Sequence, residues 1–321
     1  MLFEREAMRA ALAELAAGGV FIGTSSWKYP GWCGTLYDAE RYLYRGKFAT
    51  TRFERDCLKE YAEVFKTVCV DAAFYTFPTP AGMAGLAAQV PPDFRFGFKV
   101  TDEITIRRFP NLARFGHRAG LVNPHFLNAD LFTERFLGPL EPHRANVGVL
   151  MFEFSHFYPV DYAHGRDFVA DLDRFLGALP RGWPYAVEIR NASFLHPEYF
   201  AALARHQVAH VFNSWGAMPP VGEQIALPDS RTGTVVPARF LLRPGRKYEE
   251  AVRMFSPYDR VQEPNEAARD AGAALIIEAL KAKLRRPALI YVNNRLEGNA
   301  LGTIAALVAK VRAARAASSG Q

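Results

Sequence analysis

Residues 184–196, PYAVEIRNASFLH, decide how the rest of the chain is read. Tyr185, Val187 and Ile189 alternate with Ala186, Glu188 and Arg190, the period of a short strand that gives way to a loop. A glutamate inside so apolar a run points into a core or a pocket. Arg190 lies two residues further on, on the same strand face, close enough to pair with it. Two opposite charges on a buried strand face cost more than they return unless they are paired and hydrogen-bonded. A strand that ends this way belongs to a site rather than to a wall.

Working outward, similar short apolar runs recur along the chain. They fall at 19–26 (GVFIGTSS), 67–77 (TVCVDAAFYTF), 94–101 (FRFGFKVT) and 147–154 (VGVLMFEF) before it, and at 208–213 (VAHVFN), 236–243 (VPARFLLR) and 288–294 (ALIYVNN) after it. Helical periodicity separates several of them, at 167–179, 196–206, 265–286 and 300–314, the third of these ended by Pro287. Strands alternating with helices imply βα units and a parallel sheet, and eight such runs imply an α/β TIM (β/α)8 barrel with long βα loops. The chain divides into an extra N-terminal helix (1–18), a single barrel domain (19–314) and a frayed C-terminal tail (315–321).

Composition agrees with a folded chain and bounds its partners. Half of the 321 residues are hydrophobic and 22% are charged, enough apolar mass for a large core. The 39 basic residues against 33 acidic ones give a formal charge of +6, spread along the chain rather than gathered in a nucleic-acid-binding stripe. This permits a small anionic ligand without requiring one. Nucleic acid is the less favoured partner. Cys33, Cys57 and Cys69 form no CxxC pair, so neither a disulfide framework nor a zinc knuckle is indicated. The acidic residues of MLFEREAMRAALAELAAGG make the start an amphipathic helix and not a signal peptide. No run is long enough to span a bilayer, and the expected location is cytoplasmic.

In a barrel of this kind the site lies at the C-terminal ends of the strands. There the runs carry Trp27, Tyr29 and Trp32, then Asp71 and Tyr75, Lys99, Glu153, Glu188 with Arg190, Asn213, Arg243, and Asn293 with Asn294, while the positions before them are apolar. Each has a plainer reading. Glu188 and Arg190 could be a structural pair, Lys99 could only neutralise Asp71 or Glu153, and Asn293 and Asn294 could cap the following helix. The aromatic residues could pack under a lid, and the basic loop holding Arg107, Arg108, Arg114, His117 and Arg118 could be a solvated face. His156 and His196 follow acidic strand ends, but no HxxE or HExxH spacing supports a metal site. GxSxG, P-loop and GxGxxG patterns are absent, which disfavours serine hydrolases, NTPases and dinucleotide enzymes. No cofactor is favoured, and a divalent metal stays open with weak support.

The segments GTSSWKYPGWCGTLY, DAAFYTFPTP, FRFGFKVTDEIT, AVEIRNASF and YVNNRLEGNA together resemble the DUF72, or YecE-like, family over nearly the whole chain. The resemblance implies one TIM barrel related to those of sugar isomerases and endonuclease IV, with no established reaction. The family pattern falls on Trp27, Tyr29, Trp32, Phe74, Tyr75, Lys99, Glu188, Arg190, Asn293 and Asn294. Three departures stand out. Cys69 and Asp71 replace a glutamate and an asparagine, Glu153 replaces a glutamine, and LLRPGRKY has Pro244 where the family has a histidine.

The expected function is acid–base chemistry on a small anionic ligand of sugar or sugar-phosphate type. Glu188 would act as base or acid with Glu153 or Asp71 as its counterpart. Lys99, Arg190 and Arg243 would hold the negative charge, with Trp27 and Tyr29 stacking on the ligand and Asn293 and Asn294 orienting it. Two alternatives are a nucleic-acid phosphodiesterase or lesion-binding protein of the endonuclease IV type, and a barrel that binds its ligand without turnover.

Overall fold

The computed structural model describes residues 3–282 and 286–319. A first helix, Arg5–Ala17, buries Met8, Ala11, Leu12 and Leu15. It leads through Gly18 and Gly19 into β1 (Val20–Thr24). A small antiparallel hairpin, β2 (Leu43–Tyr44) and β3 (Lys47–Phe48), stands in the first loop. The remaining strands are β4 (Thr67–Val70), β5 (Arg95–Lys99), β6 (Val147–Phe154), β7 (Tyr185–Ile189), β8 (Ala209–His210), β9 (Phe212–Ser214), β10 (Val236–Phe240) and β11 (Ala288–Val292). Apart from the hairpin, every ladder is parallel, as the alternation of strand and helix requires.

The backbone ladders form two sheets, one ordered β4-β5-β6-β7-β8 and the other β1-β11-β10-β9. They are joined twice. The stretch 209–214 passes from the first sheet to the second at Val211, whose N–H still bonds Val187 of β7. At the other junction β1 faces β4 without a ladder, and side chains take its place. The Tyr61 hydroxyl accepts from the Thr24 N–H at 3.0 Å and donates to the Thr67 carbonyl at 3.1 Å. Gly23 is required there, because a Cβ would stand 2.0 Å from the Thr67 carbonyl oxygen.

One parity of strand residues from both sheets meets in a shared interior. Cys69, Val149, Met151, Ala186, Val211 and Leu289 pack with Tyr291 in a single buried cluster. Tyr291 crosses this interior to the Thr67 hydroxyl, 3.2 Å away, and lies against Gly97, where a Cβ would sit 2.3 Å from its hydroxyl. The other parity, including Phe98, Phe152, Val187, Phe240 and Ile290, packs against the surrounding helices in a much larger cluster. Each strand is therefore buried on both faces, the usual state of a parallel sheet. A helix that strand-by-strand reading passes over, Thr50–Val64, buries Phe53, Cys57, Tyr61 and Val64 and supplies the junction hydroxyl.

Several boundaries differ from expectation. The second run leaves the ladder at Val70 and continues as a helical turn, Asp71–Phe74, which aims the Asp71 carboxylate inward. The seventh run ends at Phe240, three residues early. The long basic loop contains helical turns at Asp102–Thr105 and Ala113–Arg118. Helix Glu266–Lys281 is shorter than expected, and residues 283–285 of that expectation lie outside the described residues. The last helix, Ala300–Ser319, runs five residues further than expected, since its Ala-rich end is helix-forming. Of the expected tail, 320–321 lie outside the described residues. Among the described residues, no helix is long and apolar enough to cross a membrane.

If β1 and β4 are held together as described, Gly23→Ala forces backbone apart and lowers stability by about 3 kcal/mol or more, above the usual range for overpacking. Gly85→Ala, in an open helical position, changes stability by less than about 1 kcal/mol in the favourable direction. Urea unfolding midpoints measure both, and an unperturbed Gly23→Ala protein would show that the junction is loose.

Candidate active site

The C-terminal strand ends carry a buried charge network that spans both sheets. In the ladders, Glu153 of β6 lies beside Glu188 of β7, and Arg239 of β10 lies beside Asn213 and Tyr291. Arg239, which is 2% exposed, reaches across the interior. Its Nη1 donates to Glu153 and Glu188, each at 2.8 Å, and its Nη2 to Asp71 at 2.9 Å. Arg190 approaches from the rim, with Nη2 2.6 Å from Glu188 and 2.9 Å from Glu153. Lys99 completes the set at 2.9 Å from Glu153, its ammonium 3.5 Å from the centre of the Phe74 ring. Sequence parity thus brings Glu188 and Arg190 together as expected and joins Asp71, Lys99 and Glu153 to them.

The electrostatics divide these groups by role. Burial alone would raise the Glu153 pKa, but Arg190, Lys99 and Arg239 outweigh it and hold the carboxyl far below its ordinary value. A group so fixed in its ionised form is a poor proton carrier. Burial would lower the Arg239 pKa, and Glu188, Asp71 and Glu153 raise it well above normal, so the guanidinium stays charged. Glu188 is wholly buried, whereas the Asp71 side chain is 32% exposed and Lys99 13%. Solvent therefore reaches the network from the Asp71 and Lys99 side.

The network is not fully satisfied. Arg190 Nε and Nη1, Arg239 Nε and the Asn213 Oδ1 are buried without hydrogen-bond partners, and the short Arg190–Glu188 contact leaves Glu188 Oε1 without an aligned donor. Arg190 also stacks on Trp215, 3.9 Å from its ring centre, which fixes the plane of the guanidinium. Buried donors without partners are uncommon in folded proteins.

Around this centre stand Tyr29, Tyr75, Tyr248, Tyr258 and Arg295. Burial pushes the Tyr29 hydroxyl up to about 12, with Arg295 opposing and Asp71 adding to the rise. Tyr75 is 62% exposed, beside Arg114. A cavity of about 300 Å³ adjoins it, lined by Thr101, Asp102, Arg114 and Arg118. A larger one of about 680 Å³ lies at the opposite strand ends, around Trp183 and Tyr185, away from every charged group of the network. The smaller one is not lined by a charged group of the network either and adjoins this centre only through Tyr75.

Other expected site residues serve the scaffold. Trp32 is fully buried between Tyr29 and Tyr37, so it cannot touch a ligand. Trp27 is buried too, with its indole N–H unpartnered. Asn294 accepts from the Ala300 N–H at 2.7 Å at the start of the last helix, and Asn293 accepts from the Arg295 N–H at 2.9 Å. Their amide oxygens are thereby committed to the turn. Asn213 donates to the Ile189 carbonyl at 3.2 Å and is locked by Gln224. Arg243 lies beyond the strand and bonds the Pro264 carbonyl, so Arg239, not Arg243, is the cation of that strand. The arginines of the basic loop are paired, Arg114 with Asp102 and Arg118 with Glu103 nearby in sequence, Arg107 with Asp171 and Arg108 with Asp161 further on. His156 lies 3.3 Å from the Arg190 carbonyl. No group of three or more His, Cys, Asp or Glu among the described residues is arranged to hold a metal.

Replacing Arg239 with Met leaves three carboxylates without their shared partner. It should cost about 3–5 kcal/mol by urea unfolding, the range for breaking a buried pair. Arg243→Gln, at a half-exposed position, should stay within about 0.5 kcal/mol. The depressed Glu153 pKa contributes stability that is present above the ordinary value of 4.5 and is lost as pH falls toward the folded value. Stability measured at a series of acidic pH values should thus fall less steeply below about pH 5 in Glu153→Gln than in the parent, and equal slopes would show that Glu153 is not held ionised.

The chain resembles solved structures over most of its length. A DUF72 family protein from Enterococcus faecalis V583 is 19% identical, with a TM-score of 0.60, covering 91% of this chain and 95% of that one. A DUF72 family protein from Thermotoga maritima MSB8 is 20% identical, with a TM-score of 0.55, covering 90% and 96%. No protein with a curated description matches. The family model described as "Protein of unknown function DUF72" matches residues 21–321, and the chain belongs to that family.

Proposed function

We propose that the two parallel sheets are the halves of one (β/α)8 barrel, and that the protein is an enzyme performing acid–base chemistry on a small anionic ligand of sugar or sugar-phosphate type at its mouth. The observation that carries this reading is the charge network at the strand ends, where Arg190 Nε and Nη1 and Arg239 Nε are buried without partners close to the part-exposed Asp71. An unmade hydrogen bond of this kind costs about 1–3 kcal/mol, more for a charged group. Arginine can only donate, so the missing partners are oxygen atoms. Ligand hydroxyl or carbonyl oxygens supply them, and the faces of Trp215, Tyr29 and Tyr75 cover the carbon skeleton.

Within this reading the carboxylates take different tasks from those the sequence suggests. Glu188 is enclosed and grips Arg190 and Arg239, so it positions donors and does not meet the ligand. Glu153 anchors three cations. Proton transfer falls to Lys99 and Asp71, the two members open to solvent, with the Arg190 fork polarising the oxygen on which charge develops.

A panel of aldoses, ketoses and their phosphates incubated with the protein in D2O tests the reading by NMR. Deuterium is expected beside the carbonyl carbon of at least one sugar. Lys99→Met and Asp71→Asn should each slow this exchange by about 10²–10⁴-fold. Arg9→Gln, on the first helix, should leave it unchanged. A parent protein that exchanges no member of the panel sinks the proposal.

A further inference from the structure

Resting on the reading above, we infer that Arg295 binds the anionic group of the ligand. The group is a phosphate held at the rim of the mouth between Arg295 and the Tyr29 hydroxyl, with the uncharged end of the ligand directed at Arg190 and Lys99. The argument starts from charge balance. The inner network sets Lys99, Arg190 and Arg239 against Asp71, Glu153 and Glu188, three cations against three carboxylates. An anion placed among them would meet no net positive charge to offset the loss of its hydration.

The rim is different. Arg295 sits on the turn after β11, its backbone N–H pinned by Asn293 Oδ1 at 2.9 Å. Its half-buried guanidinium lies 4.5 Å from the centre of the Tyr248 ring and, among the described residues, has no acid of its own. Arg114, Arg243 and Arg246 are by contrast committed to Asp102 or Glu263. The turn that bears Arg295 reaches Tyr29 through Tyr258, whose carbonyl accepts from the Asn299 amide at 2.7 Å and whose ring packs on Tyr29, and the Tyr29 hydroxyl senses both Arg295 and Asp71 of the inner network. Tyr29 is braced by Trp32 at 4.7 Å and Tyr258 at 5.8 Å. A planar fork takes two oxygens of a carboxylate or a phosphate alike, and only the phosphate keeps a third oxygen for a hydroxyl.

Inorganic phosphate is the probe, titrated at low ionic strength and followed by calorimetry. The parent protein should bind it, Arg295→Gln should weaken binding at least roughly tenfold, and Arg295→Lys should recover part of the loss, since a point charge replaces the fork. Arg9→Gln should bind like the parent, and thermal unfolding should show each variant folded. Parent-like affinity in Arg295→Gln, or no binding by the parent, overturns the inference. Loss of affinity in Lys99→Met with Arg295→Gln unaffected moves the anion into the inner network, which overturns the inference and leaves the acid–base reading standing. Phosphate binding that depends on Arg295 in a protein that exchanges no sugar proton supports the anion site and removes the acid–base reading.

Discussion

The guanidinium of Arg239 is the tie on which the rest depends. It starts from one sheet and bonds three carboxylates that belong to the other, so the same group ties the two sheets together and gathers the candidate site. Each of its partners would be costly to bury alone. Asp71, Glu153 and Glu188 share two guanidinium groups and one ammonium, and removing Arg239 strands charge at the wholly buried Glu188. The apolar layer beneath, with Tyr291 and Met151 at its centre, keeps that region dry. Stability and reactivity at the mouth are therefore linked: the groups that could do chemistry are the ones left over after the tie is satisfied.

Under the proposed function, the division of labour among these groups follows from exposure. Glu188, read from the sequence as the acid or base, is enclosed by two arginines. Lys99 and Asp71 stand where solvent arrives. A carboxylate's position on a strand says which way it points, whereas its access depends on neighbours drawn from other strands. For Glu188 those neighbours, Arg190 and Arg239, take both of its oxygens.

Much of this was legible in the sequence. Alternation at 185–190 gave the strand, its inner face and the Glu188–Arg190 pair, because strand periodicity depends on backbone geometry alone. The parallel arrangement followed from the order of runs. Arg239 was missed because VPARFLLR holds two arginines, and choosing between them needs the residue at which the strand ends; reading three residues too far selected Arg243. Tyr75 was placed on a strand for a related reason, since nothing in TVCVDAAFY shows that Asp71 starts a helical turn. Trp32 and Asn294 failed differently. An aromatic residue in a loop and an asparagine at a strand end look alike whether they face a ligand or hold the turn. The Thr50–Val64 helix carried an apolar face at helical spacing and could have been found from it.

The junction between β1 and β4 has a consequence of its own. Elsewhere neighbouring strands are joined by backbone hydrogen bonds, which no ordinary substitution except proline removes. Here the joint is made by a tyrosine hydroxyl, a threonine and the bare face of Gly23. A single atom separates Tyr61 from phenylalanine, so the stiffness of this joint is written in side chains and can be inherited, lost or retuned one substitution at a time. The loop bearing Trp27 and Tyr29 leaves the sheet directly beyond that joint. Selection can thus adjust how firmly that loop is held without altering any residue of the charge network.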